Sequence, residues 1–555
     1  MLAVAAFAGL GHLAILGTSL EDAEALESPL ALAAARQLTS SPRELHGPFG
    51  RQNPYVLIHA PLYYRVTGVI AGLLVRTGLD PVRSAIVAGR SISFLGFLGT
   101  LLAAYRLARL EGRANRVGWW AVCLIASAPV VVSMPVAVRP DMLGVWFQTT
   151  AALLVLSAII GDQPGRGRVA AALALFALAI CVKQHFVASA VVCIPILFVR
   201  SRRGAIRRGV VERGLVLAAA IVLVYYGAEE VISGGRMSAA ILTAAASVGV
   251  VHPTSWHSAS IVYFAFLGRS LGFLTLLVGL GLAWVDREGW SRRGLSLIVG
   301  LLTGATLAVS FSQLFLATFG QVVFLVFGIL TIVLLALPLC AIIERRFLAE
   351  GRVDTILLCL IASELAVAML LCRASTGAWI NYGIPVIVYL SVLVARALDR
   401  AIDAAETRRR FGWIAGAAIA PLLGAVAIGQ YNLSQREIDR GLRAIVLAKM
   451  ARPAGEFFFV DRPGMNRLDG RLDLVYDDWL YPVFERSGLA EPRAAWLRAK
   501  LTDGTVTVVV NTHDGPGIPG IVPSLARLGF VKRFSIEPVV YIWERSAFAR
   551  GPGTR

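Results

Sequence analysis

Charged residues are scarce. They make up 16% of the 555 residues against 57% hydrophobic, with a mean hydropathy of +0.70, whereas a soluble globular chain carries about a quarter charged residues. The scarcity is uneven: residues 431–555 hold 32 charged side chains in 125 positions, and the 430 residues before them hold only 56. A soluble protein is thereby excluded, and the sequence divides into a membrane body, 1–430, and a soluble tail, 431–555. Cysteine is also sparse. The six (Cys123, Cys181, Cys193, Cys340, Cys359 and Cys372) lie in or at the ends of apolar segments, none in the tail and none in a CxxC pair, which excludes a disulfide framework and a structural zinc site. There is no phosphate-binding P-loop and no HExxH, so ATP-driven transport and zincin chemistry are disfavoured. No repeat of 20–50 residues and no low-complexity tract is present.

The net charge of +18 does not point to nucleic acid, because the tail contributes only +4 and the body's share falls in short Arg-rich clusters between apolar runs. That is the pattern of a positive-inside topology. About thirteen runs are long enough to span, since ~20 residues cross a ~30 Å hydrocarbon core. They fall near 2–18, 84–105, 117–137, 142–160, 169–184, 185–199, 214–228, 266–285, 295–316, 319–343, 355–372, 382–395 and 412–430, with the boundary at 184/185 soft enough for one broken helix. The clusters Arg106 to Arg116, Arg200 to Arg213, Arg287 to Arg293, Arg345 to Arg352 and Arg408 to Arg410 then share one face, assigned to the cytoplasm. This places the N-terminus inside and the tail outside. The first span has no basic stretch before it and reads as an anchor rather than a cleaved signal peptide.

The first outer loop, 19–83, opens with the acids Glu21, Asp22, Glu24 and Glu27 and runs through Asn53-Pro54-Tyr55 to His59-Ala60-Pro61-Leu62-Tyr63-Tyr64-Arg65. Residues 62–75 have helical apolar spacing interrupted by Arg65, which predicts an interfacial helix, with a span as the alternative. The tail reads as a small α/β domain: strands near 456–460, 505–510 and 539–543, with helices near 494–501 and 522–528. The expected fold class is an all-α polytopic membrane bundle carrying this extracytoplasmic domain.

The polar residues of the outer face are the candidates for chemistry. The first-loop acids are either a solvated collar or a general base or metal ligand at the mouth of the bundle. Asp141, in Arg139-Pro140-Asp141, either caps a helix or belongs to a site, because charges at the mouth of two apolar helices are costly unless partnered. Lys183-Gln184-His185 interrupts an apolar stretch from 169 to 199; Lys183 can meet a phosphate and His185 can supply a hydrogen bond. Arg373, Asn381 and Tyr382 surround Trp379, either as an interfacial belt or as phosphate and sugar ligands. His252 and His257 read as loop histidines. Gly268-Arg269-Ser270-Leu271-Gly272 fits GxSxG but lies inside a span, and Gly515 to Gly520 fits GxGxxG with two prolines that suit a turn.

In order and sidedness these landmarks resemble the GT-C superfamily of membrane glycosyltransferases, nearest its protein mannosyltransferase (glycosyltransferase family 39) and aminoarabinose transferase members. The resemblance runs over about 1–430 through the acids after the first span, Asn53-Pro54-Tyr55, His59 to Tyr64, Arg139-Pro140-Asp141, Lys183-Gln184 and Gly377 to Tyr382. It implies a polyprenyl-phosphate-linked sugar donor, inverting transfer on the extracytoplasmic face, and a glycan, lipid or protein acceptor. It also implies a first-loop carboxylate as base. The family's Asp-Glu pair is absent, so Glu27, Glu24 and Asp22 all stay candidates, with Glu27 ahead and Glu21 last. Asp141 would be a second acid; Lys183, Arg139 or Arg373 the phosphate clamp; His59, Tyr63 and Tyr64 the cavity lining. No cofactor is required by the residues. A divalent metal, Mg or Mn, would take the first-loop acids and Asp141 as ligands, although many relatives look metal-independent. The rival reading is a transporter or flippase for a lipid-linked saccharide, which would need access from both faces.

Overall fold

The computed structural model describes residues 45–46, 59–128, 131, 134, 137–160, 166–204, 206–244, 353–374, 380–403, 456–459, 486, 491–511, 516–518, 520–536 and 540–545. The spans expected at 2–18, 266–285, 295–316, 319–343 and 412–430 lie outside these residues. So do the first-loop acids, His252, His257 and Gly268 to Gly272.

The body is helical: α1 Leu62–Val75, α2 Pro81–Ala108, α3 Asn115–Ser127, α4 Asp141–Ile160, α5 Arg166–Val182, α6 Ala188–Arg202, α7 Arg208–Ser233, α8 Val353–Ala374 and α9 Ile384–Asp403. Among the described residues, three stretches, Arg83–Ala108, Asp141–Ile160 and Arg208–Ser233, are long and apolar enough to cross a membrane. The 14 residues of α1 rise only about 21 Å, short of a ~30 Å core, which fits the interfacial helix expected there. Asp80 starts α2 by accepting the Arg83 amide at 2.9 Å, with Pro81 in the first turn. The run expected to be helical from 117 to 137 stops at Ser127. Ala128 has extended backbone (φ −69°, ψ 122°) because Pro129 follows it, and a residue before proline is pushed out of the α region.

Close helix contacts rest on glycine. A Cβ on Gly96 of α2 would sit 2.8 Å from the Leu143 nitrogen of α4, so the two backbones touch as small residues allow in membrane bundles. Gly144 of α4 makes room for Phe186, whose ring would lie 2.0 Å from an added Cβ. The interruption after α5 is a five-residue break, 183–187, so the stretch 169–199 forms two helices rather than one continuous span.

α9 carries a polar cluster at each end. Asn381 and Tyr382 stand in the 3-10 turn Ile380–Gly383 just before it. Fifteen residues on, about 23 Å along the axis, Arg396 is fully buried and bonded to Glu111, to Asp354 and to the Leu110 and Ala108 carbonyls. Asp399 pairs with Arg116 at 2.7 Å and Arg113 at 3.6 Å. The connection between α2 and α3 is thus clamped to the start of α8 and the end of α9, at the opposite end of the bundle from Asn381.

In the tail, β1 Glu456–Phe459, β2 Val506–Asn511, β3 Phe530–Ile536 and β4 Val540–Arg545 form a sheet of order β1-β2-β4-β3, with β1 and β2 parallel and the other pairs antiparallel. The helix α10 Glu491–Thr502 precedes β2, near the expected 494–501. The helix expected at 522–528 is only the 3-10 turn Ala526–Leu528, closed by Gly529 at φ +83°. Ile518 bridges Val522 across a tight turn.

Candidate functional site

Asp141, the first residue of α4, is 1% exposed, and its Oδ1 accepts both from Lys183 Nζ at 2.8 Å and from Asn381 Nδ2 at 2.9 Å. Its carboxylate therefore joins three elements rather than capping its own helix. The ammonium of Lys183, 3% exposed, also lies 4.6 Å from the centre of the Tyr382 ring, an attractive cation–π geometry. His185 stacks between Tyr382 and Phe186, with centroids 4.4 and 4.2 Å away. Its Nε2 is buried without a hydrogen-bond partner among the described residues.

The segment before α1 reaches the same place. The Ala60 amide donates to Gln184 Oε1 at 3.2 Å, which ties His59 to the 183–187 break. Arg139 is fixed through its backbone, its carbonyl accepting from Ser93 Oγ at 2.9 Å; Ser93 in turn lies 3.1 Å from Tyr63 OH, which donates to the Gly89 carbonyl at 2.8 Å. Among the described residues the Arg139 guanidinium meets Met134 Sδ, at 3.6 Å, and makes no ion pair. Tyr63 and Tyr64 are fully buried, their rings edge to face at 5.3 Å. Tyr63 anchors α1 on α2 and touches the site through Ser93. Arg373 is in the last turn of α8.

Both site histidines lie outside the spanning helices and are neutral. Burial first, and then the charge of Lys183, push His59 down to about 3 and hold His185 well below its ordinary value, against the opposite pull of Asp141. The ordinary imidazole value is 6.5, so unfolding takes up protons below it, and the stability from these groups is present above pH 6.5 and lost as pH falls. The melting temperature of the purified protein is expected to drop between pH 7 and pH 5, and the drop to shrink in a His59→Asn, His185→Asn variant. An unchanged pH slope in that variant would contradict the assignment.

Of the metal ligands considered, Asp141 has its Oδ1 engaged by an ammonium and an amide, and the first-loop acids lie outside the described residues. Among the described residues no three His, Cys, Asp or Glu side chains converge as ligands. Sequence reasoning missed Gln184 as a tether, Ser93 as a support for Arg139, and Glu364, a carboxylate buried in the middle of α8. A lone acid inside an apolar run was the available signal for the last.

Among the described residues, helices long and apolar enough to cross a membrane carry a buried charged cluster around Asp141 and Lys183 at one end of the bundle. No protein-family model matches the chain, and no curated protein matches its sequence. Among solved structures it is similar to ArnT from Cupriavidus metallidurans in the apo state, at 14% identity over 99% of this chain and 98% of that chain, TM-score 0.48. It is similar to the same protein bound to undecaprenyl phosphate, at 14% identity over 99% of each chain, TM-score 0.47. It is also similar to the archaeal oligosaccharyltransferase AglB from Archaeoglobus fulgidus, in complex with an inhibitory peptide and a dolichol-phosphate, at 13% identity over 100% of this chain and 75% of that chain, TM-score 0.44. At this level of likeness, function has to come from the site.

Proposed function

We propose that the chain is an integral-membrane glycosyltransferase that moves a sugar from a polyprenyl-phosphate-linked donor to an extracytoplasmic acceptor, with inversion. The observation that carries the reading is the charge balance of the pocket. Asp141 and Lys183 neutralise each other, both histidines are neutral, and Arg139 keeps a positive charge with no acidic partner among the described residues. A cation at the end of a bundle embedded in lipid suits a lipid phosphate, which brings its own negative charge and an apolar tail.

The chemistry follows from the donor. The acceptor hydroxyl loses its proton to a first-loop carboxylate, Glu27, Glu24 or Asp22, and its oxygen bonds to the anomeric carbon from the face opposite the phosphate. The bond between that carbon and the phosphate oxygen breaks, and its electron pair leaves with the polyprenyl phosphate. A phosphate leaving group needs little acid help, so Arg139, aided by Lys183, has to stabilise the charge it carries away. The neutral His59 and His185 can hydrogen-bond sugar hydroxyls without repelling Arg139, and Asn381 and Tyr382 bound the same space. The N-terminus lies in the cytoplasm and the C-terminal domain outside.

Proteoliposomes containing the purified protein and a radiolabelled polyprenyl-phosphate sugar separate this reading from its rival. Label passing to an acceptor fraction is the expected result. Label crossing the bilayer while still lipid-linked, with none transferred, would identify a flippase.

A further inference from the structure

Glu364 sits about 15 Å from either end of α8, 3% exposed, well below the pocket and outside the chemistry just described. It is a hub. Its Oε1 accepts from Ser189 Oγ at 2.6 Å and from Gln148 Nε2, while Ser189 Oγ meets Gln148 Nε2 at 2.8 Å and Tyr389 OH at 2.9 Å. Ser189 has one hydrogen and gives it to Glu364, so the Tyr389 hydroxyl supplies the hydrogen of their shared bond. Gln148, Ser189 and Tyr389 are completely buried. Beside the hub, Ser363 Oγ donates to the Ala188 carbonyl at 2.9 Å, a second bond from α8 to the start of α6.

The partners are placed with a pattern. Gln148 lies seven residues after Asp141, and Tyr389 seven after Tyr382, two helical turns in each case and so on the same face. Ser189 is the second residue of α6 and directly follows the break carrying Lys183 and His185. The three elements that gather on Glu364 are thus the three whose ends supply Asp141, Lys183 with His185, and Asn381 with Tyr382. Buried polar networks hold one arrangement because each unmade bond is costly.

We propose that Glu364 is a positioning residue: through Gln148, Ser189 and Tyr389 it fixes the relative depth of α4, α6 and α9, and so the geometry of the pocket two turns above. What matters is the acceptor oxygen. Glutamine at this position keeps a carbonyl for Ser189 and Gln148, and its new amide can donate to Gln148 Oε1, which is buried without a partner among the described residues. Methionine of similar size keeps the packing and removes the acceptor.

Amide hydrogen exchange on the purified full-length protein tests this without any ligand. In Glu364→Met, exchange is expected to rise about tenfold together at 141–144, 183–188 and 380–385, with the clamped end at 108–116 and 396–399 unchanged. Glu364→Gln is expected to match wild type. Unchanged exchange at the three segments in Glu364→Met, or an equal rise at both ends, would overturn the proposal. Should the methionine variant not fold, Tyr389→Phe, which deletes one donor, is expected to loosen 380–385 alone; no change there counts against the hub. A second arm rests on the proposed function: affinity for undecaprenyl phosphate is expected to fall about tenfold in Glu364→Met and to recover in Glu364→Gln. Wild type that fails to bind undecaprenyl phosphate would count against that function, while the exchange result still decides the positioning role.

Discussion

Replacing Lys183 by methionine is expected to remove a large part of the folding stability of the membrane body. The side chain is 3% exposed and its partner Asp141 is 1% exposed, so the substitution strands a carboxylate in a site with little water. Breaking one side of a buried pair costs about 3–5 kcal/mol, a large fraction of the ~5–15 kcal/mol that holds a typical domain together. Asn381 would remain on Asp141 Oδ1, which offsets only part of the loss. The double variant Lys183→Met, Asp141→Leu removes both charges and is expected to melt near wild type, since apolar replacement of a whole buried pair is often neutral or stabilising. It should nevertheless fail to transfer sugar. Thermal unfolding in detergent checks both parts: a single variant as stable as wild type, or a double variant as unstable as the single, would contradict the buried pair.

Arg139→Gln is expected to do the reverse, leaving the fold intact and weakening the donor. The structural bond of Arg139 is made by its carbonyl oxygen to Ser93, which the substitution does not touch, and among the described residues its guanidinium has only a weak sulfur contact. A hydrogen bond to a charged group contributes about 1.5–3 kcal/mol, so the KM for a polyprenyl-phosphate sugar should rise roughly tenfold to a hundredfold. Unfolding temperature should not move. Kinetics at two salt concentrations provide the check, because loss of a cation on a phosphate also lowers the salt dependence of binding. An unchanged KM would remove Arg139 from the phosphate site.

The contrast between these two cations was only half legible in the sequence. Lys183 and Asp141 each stand out as polar interruptions of apolar runs, and so does Asn381, because charge in a spanning segment needs a reason. Their pairing was not legible: 42 residues separate Lys183 from Asp141 and 240 separate Asp141 from Asn381, and nothing local encodes such contacts. Read one at a time, Lys183 was a phosphate ligand and Asp141 a second acid; the structure adds that the two form an ion pair, while Arg139 makes none among the described residues. Glu364 was hidden because the run 355–372 is apolar enough to be read as a span in spite of one acid within it. The strand β3 was missed because Lys532 and Arg533 break its apolar alternation, and the ladder is irregular there, between Lys532 and Phe534.

The opposite end of the bundle bears on the choice between transferase and flippase. Sequence reasoning saw polar constellations only on the outer face, whereas the structure has a second one around Arg396 and Asp399. That cluster is ion-paired throughout, with Arg396 fully buried, and it clamps helices together where a flippase would have to open.

The most direct test of that chemistry is transfer of radiolabel from polyprenyl-phosphate sugars in membranes containing wild type, Glu27→Gln, Glu24→Gln and Asp22→Asn. Loss of a general base typically costs about 10²–10⁴-fold in rate. Wild type is therefore expected to transfer label, and at least one of the three variants to fall by that order. Transfer at the wild-type rate by all three, or no transfer by wild type from any donor, would contradict the account.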